Sequence, residues 1–261
     1  GISRGVGITV LMQGLGMATG SILGGLLVER LGYAAMFHSS AILSLASALL
    51  ALRWRVEARP VKARILEALR RIPLRVLAVP LTLTLRNIFA SGVFAVLSII
   101  FSLRIGLNIV ETAIALALNP LAQMILGLAG PRLVRGWELY AYSIGLASTG
   151  LSFLLYLYST SPLDVYTAQI LLGAGFGLAS VAGNIYIISN SPREVRYTAS
   201  SLFSFAFNLG WILGTSVSGA IMDAMGLDAW IKASVPGTIL SSLAAIPLAR
   251  LASHNPKPDR L

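Results

Sequence analysis

An all-α bundle of membrane-spanning helices is the fold these 261 residues predict, and three observations predict it. Apolar side chains make up 56% of the chain and charged ones 11%. A water-soluble domain carries roughly 25% charged residues, so too few charges are present to cover a surface facing water. Eight apolar runs reach the ~20 residues that a helix needs to cross a hydrocarbon core. These runs are too long for strands and do not alternate, which removes a β-barrel.

Taken in order, the runs occupy 5–28, 33–52, 76–103, 110–129, 139–158, 165–188, 197–222 and 229–249. The joints at 29–32, 104–106, 132–136, 161–162, 191–193 and 226–228 hold the charges, glycines and prolines expected where a chain turns in the headgroups. Basic residues set the orientation. With the N-terminus inside, sixteen Lys and Arg fall in cytoplasmic segments, three (Arg30, Arg104, Lys232) fall outside, and Arg86 lies within a helix. A multi-pass protein with both termini cytoplasmic is predicted. The stretch 61–72 sets Ile65, Leu66, Leu69 and Ile72 at helical spacing among basic residues, so the linker 53–75 reads as an amphipathic helix on the inner leaflet or as a basic loop that serves orientation alone.

Composition also excludes functions. No cysteine is present and the two histidines, His38 and His254, stand far apart, so the sequence offers no disulfide, thiol nucleophile or metal-ligand cluster. No metal, cofactor or enzyme activity is expected, because no nucleophile, base and acid recur at workable spacing. The net charge of +10 does not point to nucleic acid, since the bases sit between apolar runs rather than on one soluble face.

An internal repeat is the most informative pattern. Without a gap, Leu15, Gly16, Gly20 and Gly25 align with Leu209, Gly210, Gly214 and Gly219, and the same offset places Glu29 on Asp223 and Gly32 on Gly226. The first and seventh runs are therefore copies, which implies a unit of six helices. Residues 76–250 form one such unit, residues 1–52 are the last two helices of the unit before it, and 251–261 is a cytoplasmic tail; four helices are expected upstream of Gly1.

Two six-helix units, a basic linker and glycine-lined fifth and eleventh helices resemble the major facilitator superfamily of secondary transporters. Gly16, Gly20, Gly24 and Gly25 resemble its antiporter signature Gly-x-x-x-Gly-Pro-x-x-Gly-Gly, with Ser21 in place of the proline. Gly127, Arg132 and Arg135 resemble its cytoplasmic loop motif Gly-x-x-x-Asp-Arg-x-Gly-Arg, with Pro131 and Val134 replacing the Asp and the second Gly. The resemblance implies a transporter of the cell membrane that moves a small molecule by alternating access, in the direction of efflux or antiport. A non-transporting remnant or membrane interaction subunit is the competing reading. On either, the glycines at intervals of four make a face on which a neighbouring helix approaches closely; under the transporter reading these faces join the two units and gate.

Polar side chains at mid-membrane depth are costly and so mark a cavity. Arg86 lies about 15 Å along its helix from Arg75 and about 27 Å from Arg104, at roughly 1.5 Å per residue. It could snorkel to the interface or hold an anion in the cavity. Asn87 should point about 100° away from it. Asn119 and Gln123 share a face beside Pro120, which frees the Leu116 carbonyl and bends the helix. Asn184, Asn208 and Gln13 complete the cavity candidates, the asparagines alternatively bridging helices, while Gln169 and His38 fall nearer helix ends. Proton coupling would need a carboxylate. Glu111 is the candidate, against the reading that it merely caps its helix.

Overall fold

The computed structural model describes residues 2–53 and 65–253, and no strand occurs among them. Helix α1 is Ile2–Arg53, α2 Ile65–Arg70, α3 Leu74–Ala95 and α4 Leu97–Ile99, which runs into a π-helical turn, Ile100–Ile105. Then come α5 Ile109–Leu133, α6 Glu138–Tyr158, α7 Pro162–Ser189, a 3₁₀ turn Arg193–Val195, α8 Arg196–Met225, α9 Leu227–Leu243 and α10 Ala245–Ser253. Among the described residues, seven helical stretches are long and apolar enough to cross a membrane.

The first of these counts as two crossings. Its 43 residues, Leu11–Arg53, would extend about 65 Å if straight, against a hydrocarbon core of about 30 Å. Gly32 breaks the helix at φ 82° and ψ 173°, a conformation essentially reserved for glycine. Met36 of the second limb then comes to 4.0 Å from where a Cβ on Gly24 of the first would stand. Gly226, the residue aligned with Gly32 in the repeat, joins α8 to α9 at φ 85° and ψ 161°. The two copies therefore turn by the same backbone device.

Two other boundaries differ from the sequence expectation. The third run is interrupted at Val96, and the eighth at Ala244, so each is a long helix followed by a short one. Gly127 and Arg132, expected in a loop, lie on the last two turns of α5; the turn itself is confined to residues 134–137, with Gly136 at φ 86°. Arg132 and Arg135 are exposed there.

Helix α3 packs on α8 and α9, α6 on α7 and α9, and α5 on α7; the first limb of α1 joins the assembly through α5. Two apolar clusters result. One gathers Val76, Val79, Leu83, Tyr142 and Ala199, the other Phe101, Phe153, Tyr156, Trp230 and Ile231. Arg86 and Asn87 fall on the level of α3 between them. Of the linker, 54–64 lies outside the described residues, but Ala68, Leu69 and Ile72 pack into the first cluster. That part packs on the bundle.

The glycine faces pack differently from the expected inter-unit seam. Gly210 and Gly214 fit against α3, where a Cβ on Gly210 would lie 2.6 Å from the Thr84 carbonyl oxygen and one on Gly214 2.5 Å from that of Ile88. This contact lies within one unit. Gly16, Gly20 and Gly219 meet nothing within 4 Å among the described residues. The seam between α1 and α5 is built instead by Gly14, Ala18 and Gly25: Gly14 sits against Pro120 and Met124, Ala18 is buried, and Gly25 abuts Ala113. Of the signature glycines, Gly25 takes part in this seam, while Gly16 and Gly20 lie on a different side of α1.

Candidate substrate cavity

A cavity of about 330 Å³ opens where the first limb of α1 meets α3, α5, α7 and α8. Each wall follows from local sequence. Gln13, Met17 and Ser21 repeat every fourth residue and so form one stripe of α1 facing the cavity. Asn119 and Gln123 come from α5, brought close by Gly173 and Gly177 of α7: a Cβ on Gly173 would collide with the Asn119 carbonyl, and one on Gly177 with that of Gln123. Gly175 serves the opposite side of α7, against Ser148 and Gly145. These alternating glycines are packing positions on two helix faces.

Arg86 is the cation of the site. It is 1% exposed, so it does not snorkel to an interface. Its Nη1 donates to Asn87 Oδ1 at 2.7 Å and its Nη2 to Thr149 Oγ1, while Nε has no partner. Asn87 in turn donates from Nδ2 to the Phe207 carbonyl at 3.1 Å, tying α3 to α8. The expectation that Asn87 faces elsewhere is thus corrected: its short side chain folds back to accept from its neighbour. No carboxylate forms an ion pair with Arg86 among the described residues.

Aromatic rings surround the guanidinium. Its carbon lies 5.6 Å from the Phe94 centroid and 5.5 Å from that of Phe176, within cation–π range. Phe94 stacks on Trp211 at 5.5 Å, Trp211 on Phe207 at 5.7 Å, and Phe207 meets Phe176 at 5.7 Å. Four rings and one guanidinium therefore close a belt, and all five side chains line the cavity. Gln169 faces the same space; it is 1% exposed, and neither its amide nitrogen nor its oxygen has a partner.

Not every expected residue arrives. Asn184 bridges helices, donating to the Ser180 carbonyl at 2.9 Å and accepting from Ser200 Oγ at 3.1 Å. Asn208 is exposed and donates to the Ser204 carbonyl within its own helix. Glu111 closes a reciprocal capping box with Asn108, both bonds at 2.9 Å, at the start of α5. Gln169, expected near a helix end, was missed together with the aromatic belt. A signal existed, because Gln169, Leu172 and Phe176 share a face of α7 at i, i+3 and i+7, as Phe207 and Trp211 do on α8 at i, i+4.

The helix bundle, the pair of helices repeated in its sequence and its polar cavity are compatible with the resemblance read from the sequence. Comparison with known families agrees: the Major Facilitator Superfamily model matches residues 2–215 and 137–260, and the chain belongs to that superfamily. It is 33% identical over 172 residues to the uncharacterized transporter YebQ of Escherichia coli strain K12. That match covers 63% of this chain and 36% of the relative, so the chain spans little more than a third of it.

Proposed function

We propose that this chain forms the substrate-handling part of a secondary transporter of the cell membrane, carrying a small organic molecule through the Arg86 cavity by alternating access, in the direction of export. The observation that carries the reading is the position of the cavity. Its walls come from the first limb of α1, which the sequence repeat assigns to one unit, and from α3, α5, α7 and α8, which it assigns to the next. Buried polar side chains at this depth are tolerated where they line a path for a substrate. The α1–α5 seam, made of Gly14, Ala18 and Gly25, presents low relief along which one unit can move on the other.

The likeness of Gly16, Gly20, Gly24 and Gly25 to the antiporter signature supports exchange against an ion, with protons the first to test. Among the described residues no carboxylate is buried at the depth of Arg86, so a proton relay would draw on residues beyond them or on Glu111 in another state. The basic joints place the ends of the chain on the cytoplasmic side in this reading.

Flux into proteoliposomes, measured with and without an imposed proton gradient, tests the proposal. Gradient-dependent movement of organic solutes that Gln123→Leu diminishes is the expected result, and the absence of flux for every solute under both conditions would overturn it.

A further inference from the structure

Among the described residues, the cavity has a charge that nothing in its walls balances. A buried cation without a counter-ion is costly unless a ligand supplies one, and Arg86 has only the neutral Asn87 and Thr149 as hydrogen-bond partners, with Nε unpaired. Among the described residues, the lining contains no Asp or Glu. Gln169 adds a second incomplete group, a buried amide whose donor and acceptor are both unpaired. Around these polar atoms the wall is aromatic, with Phe94, Phe176, Phe207 and Trp211 presenting flat faces or edges.

We propose that the cavity binds a flat, apolar organic monoanion, an aromatic carboxylate by class, with its anionic group against Arg86 and Gln169 and its rings among Phe94, Phe176, Phe207 and Trp211. The proposal rests on reading this cavity as the transport site and names what that site selects. The carboxylate neutralises the guanidinium, and the Arg86 Nε–H and the Gln169 amide, both buried and unpartnered, donate to it once these side chains turn toward the cavity. The Gln169 oxygen is left to accept from a hydroxyl or N–H group on the ligand or from water.

Two competing classes fit less well. A lipophilic cation would use aromatic faces in the way a cage holds an ammonium. Here the guanidinium already occupies that role between Phe94 and Phe176, so a second cation would meet a like charge. A sugar needs hydrogen-bonding partners around most of its surface, whereas here the space about Arg86 is walled by the four aromatic rings. The volume, about 330 Å³, is at the small end of the ligand-site range of about 300–1,000 Å³.

Calorimetric titration of the purified full chain in detergent with 2-naphthoate, 2-naphthylmethanol and 2-naphthylmethylammonium tests the charge selection at nearly constant shape. Naphthoate should bind at least tenfold more tightly than either of the others, as expected for hydrogen bonds to a charged donor. Arg86→Gln should bring the three within about twofold of one another, Arg86→Lys should keep the anion preferred, and Gln169→Leu should weaken naphthoate more than the alcohol. Equal binding of the three by the unmodified chain, or preference for the ammonium, would overturn the proposal. Should Arg86→Gln not fold, by helical circular dichroism and thermal melting, the ranking by the unmodified chain and by Arg86→Lys decides alone. Parallel flux measurements separate the two readings: anion-selective binding without flux sustains this site and removes the transport role, whereas flux of solutes with no preference for anions does the reverse.

Discussion

The two copies of the repeated helix pair, α1 and α8 with α9, carry the same glycines and have different neighbours. Gly210 and Gly214 are in backbone contact with α3, whereas their counterparts Gly16 and Gly20 meet nothing within 4 Å among the described residues. At the far end of the pattern the situation reverses: Gly25 abuts Ala113 of α5, and its counterpart Gly219 stands open. Each copy therefore displays two close-packing faces, of which the described helices fill one apiece, and a different one. A glycine motif records that a helix can be approached closely; which neighbour uses it depends on the place of the copy in the assembly.

Adding bulk breaks this comparison most sharply. Gly214→Leu drives a side chain into the Ile88 carbonyl, which as backbone cannot swing aside. We expect a loss of at least about 3 kcal/mol, at the upper end of overpacking costs, read as a lowered melting temperature in detergent. Gly20→Leu in the same 261-residue chain should stay within about 0.5 kcal/mol, and an equal loss in both would deny the asymmetry. Next in size, Gly25→Val meets Ala113 and should loosen the α1–α5 seam by about 2 kcal/mol. The matched Gly219→Val should leave melting nearly unchanged, and cross-linking between engineered cysteines on α1 and α5 would report the seam directly.

The shared turn sharpens the comparison from the other side. Gly32 and Gly226 hold nearly the same positive φ with extended ψ, so Gly32→Ala and Gly226→Ala should each cost about 1 kcal/mol, and by similar amounts. Chemical denaturation of the two variants checks this; a cost at one site alone would mean that the two turns are not held alike.

Much of the fold was legible because lipid imposes a simple rule. Every backbone polar group must be satisfied within its own segment, so run length and hydropathy mark helices and Gly or charged joints mark turns. The sequence expectation differs from the structure at Val96, where neither glycine nor proline stands at the break, and at Ala244, where Pro247 three residues on lacks the N–H that would bond the Leu243 carbonyl. The site was legible in part. Arg86, Asn119, Gln123 and Gln13 stand out by polarity and all line the cavity, but polarity could not separate them from Asn184 and Asn208, whose hydrogen bonds stay with the helices. Gln169 reads as peripheral by its distance from the helix end, a measure that ignores how far α7 is buried. The aromatic belt escaped because phenylalanine and tryptophan are ordinary in an apolar run, and only side-by-side packing from α3, α7 and α8 distinguishes these four.

By itself the sequence determined a helical membrane protein with a repeated pair of helices and a positive residue deep in its third run, since hydropathy, periodicity and charge are properties of the chain read in one dimension. The tertiary structure alone decided which glycine faces are filled and that Arg86 is clamped between Phe94 and Phe176 without a carboxylate partner among the described residues. Those are contacts between segments far apart in sequence, and the energy of a buried charge or a close backbone contact depends on what lies across the gap.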